Sequence, residues 1–261
     1  MFIEANGITI NYEVDGADDA PWLVLSNSLA TNLHMWDDQA AALKRSFRVL
    51  RYDQRGHGKT DAPAGRYTFE LLIADASALM DALSIKRAHF AGLSMGGATA
   101  LGFALIHPDR LDRVIVCDSP GMSTPQSAQQ WEERIALAER ESSMAPLVEP
   151  TIERWFPGET RAKNPPHIDK VRAMIRTTPV NGFIGCAAAL ADHNFNARVA
   201  TIKNPLLFVV GEKDGTTPPV MKKMHETVVG STFVELPGAG HICNMDQPTL
   251  FTRAVAEFLA S

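Results

Sequence analysis

Two patterns of apolar residues alternate along the first 118 residues of the chain. Runs in which consecutive residues are apolar are typical of strands covered on both faces, as in a parallel sheet. Between these runs, apolar residues recur at the spacing of one helix face. This alternation predicts an α/β fold with a mostly parallel, twisted sheet. The predicted strands are Trp22–Leu25, Phe47–Tyr52, His89–Ala91 and Arg113–Cys117, and the predicted helices are Trp36–Arg45, Thr68–Leu83 and Met95–Ile106.

The first two extended segments are joined by a tight turn and not by a helix. Phe2–Ala5 and Thr9–Val14 flank Asn6-Gly7, a dipeptide that favours the two-residue loop between antiparallel strands. We therefore predict an antiparallel hairpin at the N-terminal end of the sheet.

Residues 119–200 show neither pattern, because eight prolines divide them into short pieces. The pieces have helical spacing, and none has the character of a strand. They are Ala128–Ser142, Leu147–Trp155, Ile168–Arg176 and Phe183–Asp192. The strand and helix pattern then resumes with Leu206–Val210, Val220–Val229, Thr232–Leu236 and Thr249–Leu259. We predict a core made of residues 1–118 and 201–261, with residues 119–200 inserted as a helical lid, or cap.

Composition narrows the possible partners and surroundings. The 261 residues carry a net charge of −5 and are 45% apolar, which is ordinary for a globular protein and argues against nucleic acid or an anionic membrane as a partner. The three cysteines form no C-x-x-C pair, and the histidines show no metal-ligand spacing. No signal peptide and no apolar run of ~18 residues is visible. We therefore expect a cytoplasmic protein without metal or cofactor, whose oligomeric state the sequence leaves open.

The strongest chemical signal is Gly92-Leu-Ser94-Met-Gly96-Gly97, between a predicted strand and a predicted helix. A G-x-S-x-G sequence in this setting is typical of a nucleophile elbow, a sharp turn that raises the serine into a cleft. The alternative is a glycine-rich turn with an incidental serine. If Ser94 is the nucleophile, the N–H of the next residue, Met95, is expected in an oxyanion hole.

An acid and a histidine follow the next two predicted strands of the core. Asp214 lies just beyond Leu206–Val210, and His241 lies just beyond Thr232–Leu236. Because the carboxyl ends of parallel strands meet at one sheet edge, Ser94, Asp214 and His241 are predicted to form a catalytic triad. His241 would take the serine proton, and Asp214 would orient the imidazole. A turn-capping aspartate and a surface histidine are the alternatives.

Several segments together resemble the α/β-hydrolase superfamily, and most closely its 3-oxoadipate enol-lactonases. They are Ser26-Asn-Ser-Leu29, Met35-Trp36, Arg51-Tyr-Asp-Gln-Arg-Gly-His-Gly58, the elbow, Gly211-x-x-Asp214 and Gly240-His241. The resemblance implies that Leu29 donates the second oxyanion N–H and that Asn27, in the same loop, contributes to substrate binding. Enol-lactonases usually have glycine where this chain has Ala30, so the loop departs from the family pattern there.

Other polar residues are given structural roles. Asp53, Arg55 and His57 form a charged cluster that the resemblance assigns mostly to scaffold, with internal ion pairs and glycine turns. His34 lies near the oxyanion loop in sequence and could line the cleft, although most such histidines are packed or solvated.

The resemblance implies hydrolysis of a small lactone or ester, most closely 3-oxoadipate enol-lactone, without a cofactor. Such a substrate carries a free carboxylate, which an arginine would bind. The inserted residues offer Trp131, Arg134, Arg154 and Trp155, although packed tryptophans and solvated arginines are the alternative. A broad carboxylesterase, a carbon–carbon hydrolase of meta-cleavage products and a small-molecule receptor that retains the triad remain open.

Overall fold

The computed structural model describes residues 1–261, and it contains eight strands and eleven α-helices. The strands are β1 (Phe2–Ala5), β2 (Ile8–Asp15), β3 (Trp22–Ser26), β4 (Arg48–Tyr52), β5 (Ala88–Leu93), β6 (Leu111–Cys117), β7 (Leu206–Gly211) and β8 (Thr232–Leu236). The helices are α1 (Asp37–Leu43), α2 (Phe69–Ala82), α3 (Met95–Ile106), α4 (Pro125–Glu141), α5 (Val148–Trp155), α6 (Gly158–Lys163), α7 (Pro166–Thr177), α8 (Val180–Asp192), α9 (Thr217–Thr227), α10 (Cys243–Asp246) and α11 (Pro248–Ala260).

All eight strands form one sheet in the order β1-β2-β4-β3-β5-β6-β7-β8. The pairs from β4 to β8 are parallel, and β2 pairs with both β1 and β4 in antiparallel orientation. Every residue of β5 and β7 is buried, as expected for strands covered on both faces. The predicted α/β fold with its mostly parallel sheet is confirmed.

The predicted hairpin is present at the edge of the sheet. Ala5 pairs with Ile8 across the turn, and both turn residues have positive φ, 49° at Asn6 and 74° at Gly7. Asparagine and glycine tolerate this conformation better than other residues, which is why the dipeptide marks such turns.

Residues 119–200, called the inserted segment below, contain α4 to α8 between β6 and β7. A single isolated bridge, between Met122 and Asn194, joins its two ends. The segment contacts the sheet portion closely, because a Cβ on Gly182 of α8 would lie 1.9 Å from the carbonyl oxygen of Gly56. Buried side chains of both portions belong to one hydrophobic cluster of 75 residues. The role of the segment as a lid stays a prediction.

Two short helices were not predicted from the sequence. The helix α6 buries none of its residues, so it has no apolar face that a sequence pattern could reveal. The helix α10 has only four residues, which is about one turn. None of the helices combines the length and apolar character that a membrane span requires.

Candidate active site

Ser94 occupies the sharp turn between β5 and α3. Its backbone has φ 55° and ψ −112°, a strained conformation for a residue with a side chain. The turn is tight enough to exclude side chains at its neighbours, since a Cβ on Gly92 would lie 1.9 Å from the Gly96 carbonyl oxygen. A Cβ on Gly96 would lie 2.2 Å from the carbonyl oxygen of Ser26. Close backbone packing therefore requires both glycines and leaves Ser94 partly exposed at the sheet edge.

The structure brings Ser94, His241 and Asp214 into one hydrogen-bonded chain. His241 Nε2 lies 3.0 Å from Ser94 Oγ, and His241 Nδ1 lies 2.8 Å from Asp214 Oδ2. Asp214 and His241 are both buried. An imidazole held this way can accept the serine proton through Nε2 while the carboxylate stabilises the resulting positive charge.

The loop that carries His241 is held by the inserted segment. The backbone N–H of His241 donates to the carbonyl oxygen of Trp155 at 2.8 Å. The Trp155 ring also stacks on the imidazole, with ring centroids 5.7 Å apart and planes 29° apart. The last residue of α5 therefore fixes both the backbone and the ring orientation of His241.

The two predicted oxyanion donors lie in adjoining backbone segments. Met95 is the first residue of α3, so its N–H has no partner within the helix. The Leu29 N–H makes no hydrogen bond within the protein. The loop after β3 lies against the first turn of α3, because a Cβ on Gly96 would approach both Ser26 and Asn27 carbonyl oxygens within 2.9 Å. Both N–H groups are thus available for a substrate oxygen.

Asn27 lies inside the oxyanion loop, and its position does not support the predicted contact with substrate. Its side chain is fully buried and donates to the carbonyl oxygens of Ser28 and Thr31. Its Oδ1 accepts the backbone N–H of Gln54 at 2.9 Å. Since the amide is engaged at both ends, Asn27 fixes the loop that presents Leu29.

His57 also fixes this loop, a role that the sequence did not indicate. Ala30 adopts φ 56°, and its N–H donates to His57 Nε2 at 2.9 Å. His57 Nδ1 lies 3.1 Å from the carbonyl oxygen of Arg55, so the neutral ring donates at Nδ1 and accepts at Nε2. Ala30, where the family usually has glycine, takes up the left-handed conformation that glycine adopts most easily. Burial lowers the pKa of His57 to about 4.

Acid should therefore destabilise the fold through His57. In the unfolded chain the imidazole titrates near its ordinary pKa of about 6.5, so only the unfolded state gains a proton between pH 6.5 and 4. Stability from the neutral imidazole is complete above pH 6.5 and falls by up to about 3 kcal/mol as the pH approaches 4. Urea unfolding of wild type and His57→Gln at pH 7.5 and 4.5 tests this. We expect the stability advantage of wild type to shrink by about 2 to 3 kcal/mol at the lower pH, and an equal advantage at both pH values would contradict it.

The remaining charged residues near this loop have structural partners. Arg55 pairs with Asp75 through two hydrogen bonds of 2.7 and 2.6 Å. Asp53 accepts the N–H of Leu33 at 2.7 Å and side-chain and backbone donors on other segments. His34 is half exposed and lies 3.2 Å from Asp37. The ion pair of this segment joins Arg55 to α2 and is not internal to the loop, so the predicted internal ion pairs are absent, while the partners of Asp53 and Arg55 suit a structural role.

The four predicted substrate-binding residues of the inserted segment form an aromatic and cationic cluster. The Arg154 guanidinium lies 5.6 Å from the Trp131 ring centroid and 5.8 Å from that of Trp155, and Arg134 lies 4.8 Å from Trp131. Trp155 is buried, Trp131 and Arg134 are partly exposed, and Arg154 is exposed.

Neither arginine of this cluster makes a hydrogen bond or a salt bridge, and desolvation lowers the pKa of Arg134 although the charge of Glu133 opposes this shift. Although the Arg154 side chain is accessible to solvent, protein atoms surround it closely. This desolvation, and then the charge of Arg134, lower the pKa of Arg154 to about 10, while Asp214 opposes the shift. Because Trp155 contacts both Arg154 and His241, the unpaired cations lie beside the Ser94–His241–Asp214 chain.

One cluster meets the spacing of a metal site. Ligand atoms of Asp118, Asp214 and His241 lie within 4.8 Å of one another. The hydrogen bond between His241 Nδ1 and Asp214 already engages two members of the cluster. The short distances within this cluster therefore reflect the hydrogen bond between Asp214 and His241, with Asp118 beside it.

Comparisons with known proteins agree with this architecture. Residues 21–248 match the family model of the alpha/beta hydrolase fold. The chain is 35% identical over 97% of its length to 3-oxoadipate enol-lactonase 2 of Acinetobacter baylyi, of which it covers 94%. It superposes on the crystal structure of the enol-lactonase from Burkholderia xenovorans with a TM-score of 0.96 and 37% identity, over 100% of both chains. A hydrolase structure from Pseudomonas aeruginosa gives a TM-score of 0.95 and 38% identity, over 100% of this chain and 98% of that one.

The family model covers most of the chain, and the enol-lactonase relatives extend over nearly its full length. The protein therefore belongs to the α/β-hydrolase family, is similar to its 3-oxoadipate enol-lactonases, and is a hydrolase.

Proposed function

We propose that the protein opens 3-oxoadipate enol-lactone to 3-oxoadipate, with Ser94 as nucleophile, His241 as general base and acid, and Asp214 as the orienting carboxylate. The observation that carries the proposal is the hydrogen-bonded chain from Ser94 Oγ through His241 to Asp214. The similarity to two enol-lactonases over the whole chain supports the choice of substrate.

In the first half-reaction, Ser94 Oγ attacks the lactone carbonyl carbon while His241 Nε2 takes the hydroxyl proton. The negative charge on the carbonyl oxygen is stabilised by the N–H groups of Leu29 and Met95, an effect for which one donor is typically worth on the order of 10²–10³ in rate. Collapse of this intermediate breaks the ring C–O bond. His241 gives the proton to the departing enol oxygen, and the enol tautomerises to a ketone.

In the second half-reaction, water attacks the acyl group on Ser94. His241 takes the proton from this water and returns it to Ser94 Oγ when the ester bond breaks. The product leaves as the diacid with a new carboxylate, and the enzyme regains its starting state.

The free carboxylate of the substrate suits the unpaired arginines of the inserted segment. Arg134 and Arg154 form no salt bridge, both are partly desolvated, and the charge of Arg134 disfavours that of Arg154. An anionic ligand would relieve both costs. Arg154 and His241 both contact Trp155, so a carboxylate bound by Arg154 would belong to a substrate within reach of Ser94.

A comparison of substrates, combined with arginine variants, tests the proposal. We expect steady hydrolysis of the enol-lactone with a kcat/KM well above those for p-nitrophenyl acetate and a meta-cleavage dienoate. Since a hydrogen bond to a charged group contributes about 1.5–3 kcal/mol, Arg134→Ala and Arg154→Ala together should raise KM for the enol-lactone at least ~10-fold. The same change should hardly affect the neutral ester. Initial-rate kinetics on purified variants measure both effects.

Arg176→Ala is the matched control, because Arg176 is an exposed arginine of the same segment. An unchanged KM in the double variant would reject the carboxylate site. A preference for the acetate ester would favour the broad carboxylesterase, and a single burst without turnover would favour a receptor.

A further inference from the structure

A second carboxyl group lies beside the proposed triad and takes no part in the steps above. Asp118 immediately follows β6 and is fully buried. Its backbone N–H donates to the Val209 carbonyl oxygen at 3.0 Å, and its Oδ1 accepts the Gly211 N–H at 2.8 Å. Asp118 is thus attached to the end of β7, just before the loop that carries Asp214.

Asp118 and Asp214 each have one carboxyl oxygen that accepts no N–H or O–H donor. Asp118 Oδ2 is buried and accepts no N–H or O–H donor, which is costly for a polar atom, and the only side-chain donor directed at this carboxyl group besides Asp214 is the weakly donating Cys243 thiol. The only donor to the Asp214 carboxylate is His241, through Oδ2. One carboxyl oxygen of each aspartate and a ring nitrogen of His241 lie within 4.8 Å of one another. One proton shared between the two carboxyl groups would satisfy both.

The groups around Asp118 also favour its neutral form. Asp214 and His241 face it from the loops after β7 and β8, and the thiols of Cys117 and Cys243 face it from β6 and α10. Burial, first, and the charge of Asp214 raise the pKa of Asp118 well above its ordinary value, and the Cys243 thiol and the Gly211 N–H, which donate toward its carboxyl group, offset only part of this rise. Two carboxylates this close cannot both ionise easily, so one retains its proton.

We propose that Asp118 is a positioning residue whose protonated carboxyl group donates a hydrogen bond to Asp214 and thereby holds that carboxylate toward His241. The proposal rests on the role of Asp214 proposed above. Asp118 adopts φ 44°, a strained conformation that aspartate and asparagine tolerate better than most residues. The Gly211 N–H bonds only one carboxyl oxygen, and the Cys243 thiol, a weak donor, is a poor partner for the other.

Asp118→Asn and Asp118→Gly separate this role from a structural one. Asparagine keeps an acceptor for Gly211 and supplies a neutral N–H donor to Asp214, and glycine removes both while suiting the positive φ. We expect Asp118→Asn to keep kcat within ~3-fold of wild type, with the acid limb of kcat/KM at the same pH. Asp118→Gly should lower kcat ~10-fold or more at nearly constant KM.

The loss of kcat in Asp118→Gly should also depend on Asp214. In an Asp214→Asn background, Asp118→Gly should cause no further loss of kcat, since no carboxylate remains to be oriented. A merely structural defect would instead lower kcat equally in both backgrounds. Thermal melting checks folding in every variant, and the rate of labelling by a serine-directed fluorophosphonate measures the reactivity of Ser94.

Several outcomes would overturn the proposal. One is a wild-type kcat in Asp118→Gly, and another is an equal loss of kcat in Asp118→Gly and Asp118→Asn. A third is a shift of the acid limb of kcat/KM to lower pH in Asp118→Asn, which would show that an ionised Asp118 acts on His241. If Asp118→Gly does not fold, the acid limb and kcat of Asp118→Asn decide. Fluorophosphonate labelling of wild type that persists in Ser94→Ala would instead reject the proposed nucleophile, so the two failures are distinguishable.

Discussion

Ser94→Ala is expected to lower kcat for the enol-lactone by on the order of 10⁵- to 10⁶-fold, because the variant lacks the atom that forms the acyl-enzyme. His241 Nε2, which lies 3.0 Å from Ser94 Oγ in wild type, then has no hydroxyl to deprotonate. The backbone donors of the oxyanion hole remain, so some acceleration over the uncatalysed reaction should survive. Steady-state assays at high enzyme concentration measure the loss, and mass spectrometry after fluorophosphonate treatment measures labelling.

Ser46→Ala serves as the control for this change. Ser46 is exposed in the loop between α1 and β4 and does not belong to the elbow, so its removal should leave both the rate and the labelling intact. A kcat for Ser94→Ala within ~100-fold of wild type would be incompatible with a serine acyl-enzyme mechanism.

The approach of Ser94, Asp214 and His241 could be predicted because each residue follows an apolar strand that can be recognised locally. Strand periodicity identifies β5, β7 and β8, and parallel pairing brings their carboxyl ends to one edge. The fold class followed from the same reasoning. Predicting that those three side chains meet required no knowledge of tertiary contacts beyond the direction of the strands.

The support of the oxyanion loop could not be predicted in this way. His57 lies 27 residues from the Ala30 N–H that it accepts, and Asn27 binds Gln54 across a similar separation. Both contacts depend on β3 and β4 being neighbours, although their loops have no shared sequence pattern. The sequence therefore indicates a substrate contact for Asn27 and a scaffold role for His57, and neither prediction shows that the two side chains hold the same loop.

The role proposed for Asp118 could not be predicted from the local sequence either. Asp118-Ser119-Pro120-Gly121 has the composition of an ordinary turn, and nothing local indicates a carboxyl group facing the end of β7. Its significance comes from the parallel pairing of β6 with β7, which places the end of one strand beside the loop of the next. The arginine cluster is similar, because two helices, α4 and α5, must pack before Arg134 and Arg154 can share Trp131.

Asp214→Asn is expected to lower kcat on the order of 10⁴-fold, provided that Asp214 orients the imidazole as proposed. In wild type, the carboxylate accepts the Nδ1 proton of His241 at 2.8 Å, so Nε2 is free to accept from Ser94. An asparagine amide can donate to Nδ1, which would move the ring proton to Nε2 and prevent it from acting as a base. KM should change little, because the carboxamide is nearly isosteric and Asp214 is buried.

Glu212→Gln is the matched control for this last change, since it also neutralises an acid in the loop after β7. Glu212 is exposed and accepts the Gly238 N–H at 2.8 Å, so its substitution perturbs the loop without touching His241. We expect Glu212→Gln to retain kcat within ~3-fold, because an exposed hydrogen bond of this kind contributes only about 1 kcal/mol. A loss of less than ~10-fold in Asp214→Asn, with fluorophosphonate labelling as fast as in wild type, would mean that Ser94 and His241 act without this carboxylate. The orientation of His241 would then depend mainly on its backbone bond to Trp155 and on the ring that stacks against it.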